Sequence, residues 1–330
     1  MDSLTQIVTG GIIGEKILGK QMGNKSILWG AIIGTLPDLD VFLMPFVGEV
    51  EGLFLHRGFS HSLLFCLVMG TLLSLGLKKL YSRKKIPWKR WWLYSSSILF
   101  GAVFIDYLTT YGASIFWPIS SYRIELNTIA IVDLFFTLPA LVMVIIFLFK
   151  KAENRKILRN SAFFYILVYL SLTGINKAYI NQHFKESFSK ENRIIRMRTS
   201  PMPLTNFLWM GLIETEDGIY EGYHSIFDSS AIDFNMLSAN HEYLDVYHNN
   251  SKVQKLIEFT KDWYIVDKIE DTIYVNDLRF GKPGVSEHAQ YVFRFSIRET
   301  DDKVHIKQTE QQPDISNKEM REYVKAIVGK

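Results

Sequence analysis

The stretch His56-Arg57-Gly58-Phe59-Ser60-His61-Ser62 places two imidazoles, a guanidinium and two hydroxyls directly before an apolar run over residues 63–77. Polar groups packed against the mouth of a membrane helix are costly unless they have partners. Carboxylates that could serve lie upstream in Pro37-Asp38-Leu39-Asp40 and downstream at Asp106. In an extended turn, side chains two apart share a face, so Asp38 and Asp40 can both approach one cation. The bland reading of that pair is a solvated helix stop, since proline and aspartate are common turn formers. His56 and His61 are wrongly spaced for one helical face, but a turn at Gly58 would bring them together. Two imidazoles beside carboxylates suit Zn²⁺ or Mn²⁺, which accept mixed nitrogen and oxygen ligands. The expected ligand set is therefore Asp38, Asp40, His56, His61 and Asp106. Asp38 is also placed to accept a proton from water. Arg57 is expected either to neutralise a carboxylate, to hold a phosphate bidentately, or simply to anchor at the interface. Asp133 stands between a supporting role behind the ligands and a purely structural one.

The elements around these residues read as membrane helices. Residues 4–18 are apolar and carry Gly10, Gly11 and Gly14, small residues that let membrane helices approach closely. Residues 27–36 continue as an apolar helix that should stop before Pro37. Neither stretch has the ~20 apolar residues of a full span. Residues 60–77, 91–111, 129–149 and 161–180 are clearer candidates, the first capped by Ser60 or Ser62. Together they predict a polytopic helical domain of about five to six membrane helices. Trp91, Trp92 and Trp117 read as aromatics of the interfacial belt.

Lysine and arginine set the expected orientation. Residues 78–90 carry seven basic residues and no acid, residues 150–159 carry five, and Lys16, Lys20 and Lys25 surround the first connection. Residues 112–128 carry only Arg123. The positive-inside rule puts the basic loops in the cytoplasm and Asp38, Asp40, His56, His61, Asp106 and Asp133 at the other face. That assignment uses loop charge alone, yet it collects every candidate ligand on one side.

After residue 180 the pattern changes. Residues 208–215 and 219–227 read as strands joined at Glu216-Asp217-Gly218. Residues 241–263 read as a helix. Strand pairs follow at 264–268 with 272–278 and at 291–298 with 303–308, and a short helix at 317–327 closes the chain. The expected division is a membrane domain over 1–184 and a small α+β domain with an antiparallel sheet over 185–330. With the last apolar segment running outward, that domain is expected outside the cytoplasm. His224, His241, His248 and His288 are scattered without ligand spacing and read as ordinary surface or core residues.

Composition closes off other classes. The formal net charge of +3 is mild, and the basic residues sit beside apolar runs, which suits membrane topology better than nucleic-acid binding. The single cysteine, Cys66, excludes an intramolecular disulfide and a cysteine metal cage. No basic leader with a small-residue cleavage site opens the sequence, so no removable signal peptide is expected.

Four segments carry a resemblance: Met1-Asp2-Ser3-Leu4-Thr5-Gln6, Pro37-Asp38-Leu39-Asp40, His56 to Ser62, and Asp106-Tyr107-Leu108-Thr109-Thr110-Tyr111-Gly112. With Phe116-Trp117-Pro118 and Asp133 they resemble the YdjM family over roughly residues 1–180. The resemblance implies a bacterial inner-membrane protein grouped with metal-dependent hydrolases. It also implies distant similarity to zinc-dependent phospholipase C and P1-type nucleases, all-helical enzymes that cleave phosphoesters. The chain departs from that pattern at Gln6 and Ala102, where many relatives carry histidine. This implies fewer metals or lost turnover.

The expectation is a multi-pass hydrolase of the cytoplasmic membrane, acting at its outer face on an ester or phosphoester of a lipid or envelope molecule. The bilayer is the expected partner, and no nucleic acid is. The alternative is a non-catalytic, metal-stabilised scaffold whose outer domain binds a partner. A transporter is less favoured, because the acids cluster at one face and do not line a path across the bilayer.

Overall fold

A computed structural model of the chain describes residues 1–188, 193–284, 290–300, 303–309 and 317–329. His288 lies outside them. The chain divides into two compact units, one of residues 1–44 and 55–174, the other of residues 45–54 and 175–330.

The first unit is helical: α1 (Ser3–Met22), α2 (Asn24–Thr35), α4 (Leu63–Leu80), α5 (Trp88–Leu108), α6 (Leu134–Phe149) and the first part of α7 (Lys156–Ser187). Helix α3 (Glu49–Leu55) falls almost wholly in the second unit. Asp2 caps α1 by accepting the Thr5 N–H at 2.9 Å. Helices α1 and α2 pack backbone to backbone. A Cβ added at Gly10 would stand 2.3 Å from the Gly30 carbonyl oxygen, and one at Gly30 would meet Gly10 equally closely. Only glycine tolerates that approach. It brings the start of α1, with Gln6, against the end of α2, which leads into Asp38. Helix α2 gives way at Pro37 to a 3₁₀ segment, Pro37–Phe46.

Among the described residues, three helical stretches are long and apolar enough to cross a bilayer: Asn24–Phe46, Leu63–Leu80 and Ala152–Ser187. Five or six spans were expected. Helix α6 is apolar but has only 16 residues, because Asp133 sits at its N-cap and not a turn inside it. It accepts the Phe136 N–H at 3.1 Å and the Tyr169 hydroxyl at 2.9 Å. Helices α1 and α5 are long enough but dilute in apolar residues, as suits helices facing protein more than lipid. Trp91, expected in the interfacial belt, is 1% exposed and stacks on Tyr81 inside the bundle.

The second unit holds two four-stranded antiparallel sheets where one sheet was expected. One runs β1 (Arg196–Pro201), β2 (Leu208–Thr215), β3 (Gly218–Ser225), β4 (Phe234–Leu237). The other runs β5 (Tyr264–Ile269), β6 (Thr272–Asp277), β7 (Phe293–Thr300), β8 (Lys303–Gln308). Leu208, Leu212, Ile219, Trp263, Ile265 and Leu278 share one core. The helix expected over 241–263 is broken into a 3₁₀ segment, His241–Tyr247, and α8 (Ser251–Thr260). Asn250 restarts it, its side chain accepting the N–H groups of Lys252 and Val253. Helix α9 (Asn317–Val328) adds Tyr323 to the core.

Candidate metal centre

The loop before α4 is shaped by Arg57, whose φ of 58° makes the turn expected at Gly58. A short 3₁₀ turn, Phe59–His61, follows, and Ser62 caps α4 by accepting the Phe65 N–H at 3.0 Å. His61 thereby points into the bundle and is fully buried.

The Asp38–Asp40 pair does not share a face. A 3₁₀ helix has about three residues per turn, so positions two apart diverge. The carboxylates accordingly do different work. Asp40 accepts from His56 Nδ1 at 2.7 Å, from the Arg57 N–H at 2.9 Å and from the Ser60 hydroxyl. It pins the loop. Asp38 instead faces His61, its Oδ1 standing 3.1 Å from Nε2. Asp106, near the end of α5, reaches the same nitrogen with Oδ2 at 3.2 Å. Ligand atoms of Asp38, His61 and Asp106 all lie within 4.8 Å of one another. Of the five expected ligands, these three come together. His56 and Asp40 pair beside them, with Asp40 Oδ2 3.7 Å from His61 Nδ1.

The tautomer of His61 follows from its neighbours. The Ser60 hydroxyl gives its only proton to Asp40 and lies 2.9 Å from His61 Nδ1. Its oxygen then accepts from Nδ1–H, so the neutral ring has its lone pair on Nε2, while the imidazolium carries a proton there as well. Nε2 faces two carboxylates. Nε2, Asp38 Oδ1 and the nearby Gln6 Oε1 are all buried without a hydrogen-bond partner. The contacts are close enough for ion pairing but poorly aligned for hydrogen bonds. Two carboxylates converging on a buried imidazole nitrogen need positive charge between them, supplied by a proton on Nε2 or by a metal ion. The donor set, one imidazole nitrogen and carboxylate oxygens, fits a divalent metal ion. A buried serine behind the imidazole is the kind of support that metal-ligating histidines usually have.

Asp106 is the most heavily held member. Its Oδ1 accepts from the Met1 amino group and lies 3.3 Å from Arg57 NH2, while Oδ2 accepts from Gln6 Nε2 at 3.0 Å. Arg57 also donates to the Met1 carbonyl and the Thr109 hydroxyl and lies 4.9 Å over the Tyr111 ring. Of its three expected roles, it takes the neutralising one. Burial, the largest influence on His56, pushes its imidazole below the ordinary value, against the pull of Asp40. Tyr107 donates to the His61 carbonyl, and Arg123 to the His56 carbonyl. The sequence did not flag Ser60, Tyr107 or the Met1 amine for these duties. Serine one residue before the buried histidine was the available signal. Ala102, one turn before Asp106, is 2% exposed and offers only a methyl group.

A bundle of apolar helices enclosing a carboxylate–imidazole cluster defines a membrane-embedded protein with a candidate cation site. The chain belongs to the YdjM inner membrane protein family, whose sequence profile matches residues 1–180. It is 32% identical over 113 residues to the inner membrane protein YbcI of Escherichia coli (strain K12), an alignment covering 34% of this chain and 64% of that protein. The chain thus spans less than two thirds of that relative's length. No solved structure matches it.

Proposed function

We propose that this chain is a metal-dependent hydrolase of the inner membrane, acting on an ester or phosphoester of a lipid or envelope molecule at the outer face. The observation that carries the reading is the convergence of ligand atoms of Asp38, His61 and Asp106 within 4.8 Å of one another in a buried site. Asp38, His61 and Asp106 would hold the ion, and the family resemblance makes zinc the first expectation and manganese the second. A divalent ion there supplies Lewis acidity toward an ester or phosphoester oxygen and acidifies water toward neutral pH.

The chain's own residues divide the remaining work. Asp38 is the most accessible of the three, its side chain 16% exposed against 0% for the others. It is the carboxylate best placed to take a proton from water. Ser60 and Asp40 fix the ring of His61, and Arg57 holds Asp106 in place. The phosphate-holding role expected for Arg57 competes with that engagement. The basic loops favour a cytoplasmic face opposite the centre, with α1 and α5 crossing inside the bundle and the residues after 185 forming an extracytoplasmic domain.

Arg57's commitment to Asp106 also favours a second reading, a metal-stabilised scaffold without turnover. Metal analysis of the full-length protein in detergent, with a phosphoester hydrolysis assay on the same samples, separates the readings. Wild-type protein is expected to carry a divalent ion that His61→Ala and Asp106→Ala both lose, with hydrolysis lost alongside. Metal without turnover leaves the scaffold. Protein that takes up no metal under any loading condition sinks both.

A further inference from the structure

Helices α1, α4, α5 and α7 of the first unit enclose a groove of about 730 Å³, lined almost entirely by apolar side chains. That volume is within the ~300–1,000 Å³ of sites that hold small ligands. Along α5 its lining runs from Trp92 to Ile105, about 20 Å at the rise of an α-helix. One leaflet's hydrocarbon is about 15 Å deep, so the groove has the length of a lipid chain.

Its upper end lies against the candidate metal centre. Ile105 and Leu63 line it, each next in sequence to Asp106 and to the helix cap Ser62. Thr9 lines it as well, one turn along α1 from Gln6, which donates to Asp106. Thr9 is 1% exposed, and its hydroxyl has no hydrogen-bond partner. A buried hydroxyl facing an apolar groove is unsatisfied until a polar group enters beside it. The ester oxygens of a lipid would arrive at that level if its head reached the centre. The lower end is closed by Lys16, which donates to Asn160 at 2.7 Å and lies 5.3 Å over the Phe163 ring. Gly101 forms part of one wall, and a Cβ there would stand 2.6 Å from Ile13 Cδ1. On segments that carry or bond to the centre, Phe42, Phe116, Trp117 and Ile119 are 69%, 54%, 42% and 93% exposed. Exposed apolar rims of this kind suit a mouth set within lipid, not water.

We propose that the groove holds the hydrocarbon chain of a membrane lipid whose ester or phosphoester head meets the Asp38–His61–Asp106 centre. The head placement rests on the metal reading of that centre, whereas the chain placement does not. The substrate would then enter sideways from the bilayer, with Lys16 limiting the chain length accepted.

The test uses full-length protein in lipid nanodiscs containing a trace of phosphatidic acid with a diazirine in its acyl chain. After irradiation, label is mapped by peptide mass spectrometry. It should concentrate on Ile13, Phe100 and Leu167 over Leu72, Leu75 and Val142, which lie elsewhere on the bundle and are about as exposed as Phe100 and Leu167. Ser97→Phe and Gly101→Phe, which fill the groove from α5, should each remove most of that label. If the glycine variant fails to fold, the serine variant decides. Label spread evenly over both sets of positions, or untouched by a folded groove-filling variant, identifies ordinary boundary lipid and overturns the proposal. Metal content of the same samples reports on the centre separately. Groove labelling in protein that never binds metal keeps the chain site and refutes the centre. Even labelling in metal-loaded protein does the reverse.

Discussion

Two buried carboxylates on or against α1 have opposite surroundings. Glu15 and Asp106 are both 0% exposed in the first unit. Glu15 Oε2 accepts from Arg155 NH1 and Ser26 Oγ, each at 3.1 Å, and Oε1 accepts from Arg159 at 2.7 and 3.2 Å. Every oxygen there faces a donor. About 14 Å further along α1, counted from Glu15 to Gln6 at the helical rise, carboxylates face a histidine nitrogen and an unpartnered amide oxygen. Around Glu15, two guanidiniums surround one acid. Around Asp106, the Arg57 guanidinium and the Met1 amine serve that one acid, and Asp38 and Asp40 are left to the two imidazoles. A buried ion pair that closes on itself is part of the structure. A buried cluster left short of positive charge is a place for something else to bind.

The largest expected effect is at the closed cluster. Glu15→Ala leaves two arginines without their carboxylate in an apolar setting. Breaking a buried pair in this way costs about 3–5 kcal/mol. Thermal unfolding in detergent should show a large fall in Tm that no metal addition repairs. If the variant unfolds like wild type, Glu15 is not a structural pair and the contrast between the clusters fails.

Removing metal should act only on the other cluster. A ligand that binds only the folded state at a hundredfold excess over its Kd stabilises by about 2.7 kcal/mol. Chelation should therefore lower the wild-type Tm, and re-addition of Zn²⁺ or Mn²⁺ should restore it. The His61→Ala protein should not respond to either treatment. A response in that variant equal to wild type would place the metal elsewhere.

The difference between the clusters also marks what the sequence could convey. Asp38, His61 and Asp106 were legible as residue types, because acids and histidines are expensive among apolar helices and stand out there. Their pairing was not legible. The two-residue spacing of Asp38 and Asp40 suggested a shared face, and only the 3₁₀ geometry of Pro37–Phe46 sends one to the centre and the other to the loop. Glu15 passed unremarked, and Arg155 and Arg159 read as loop charges for topology, since their contact with it spans 140 residues or more of sequence. The same holds after residue 193. Strands β2, β3 and β5 to β8 fall on the runs expected as strands. Strand β1 ends in proline and carries two arginines, β4 has only four residues, and both exist because a neighbouring strand offers its edge.

The smallest expected effect tests how the open cluster is kept open. Ser60 contributes no ligand, but its hydroxyl joins Asp40 to His61 Nδ1 and so decides which nitrogen carries the proton. Ser60→Ala keeps all three ligands and frees the ring to turn or change tautomer. Loss of such supporting partners typically weakens metal binding by about 10–100-fold. Titration of chelator-stripped protein with Zn²⁺ should show that weakening, while Tm without metal changes little. Ser60→Thr retains the hydroxyl and should recover most of the affinity. If alanine and threonine bind metal equally well, the tautomer is set elsewhere.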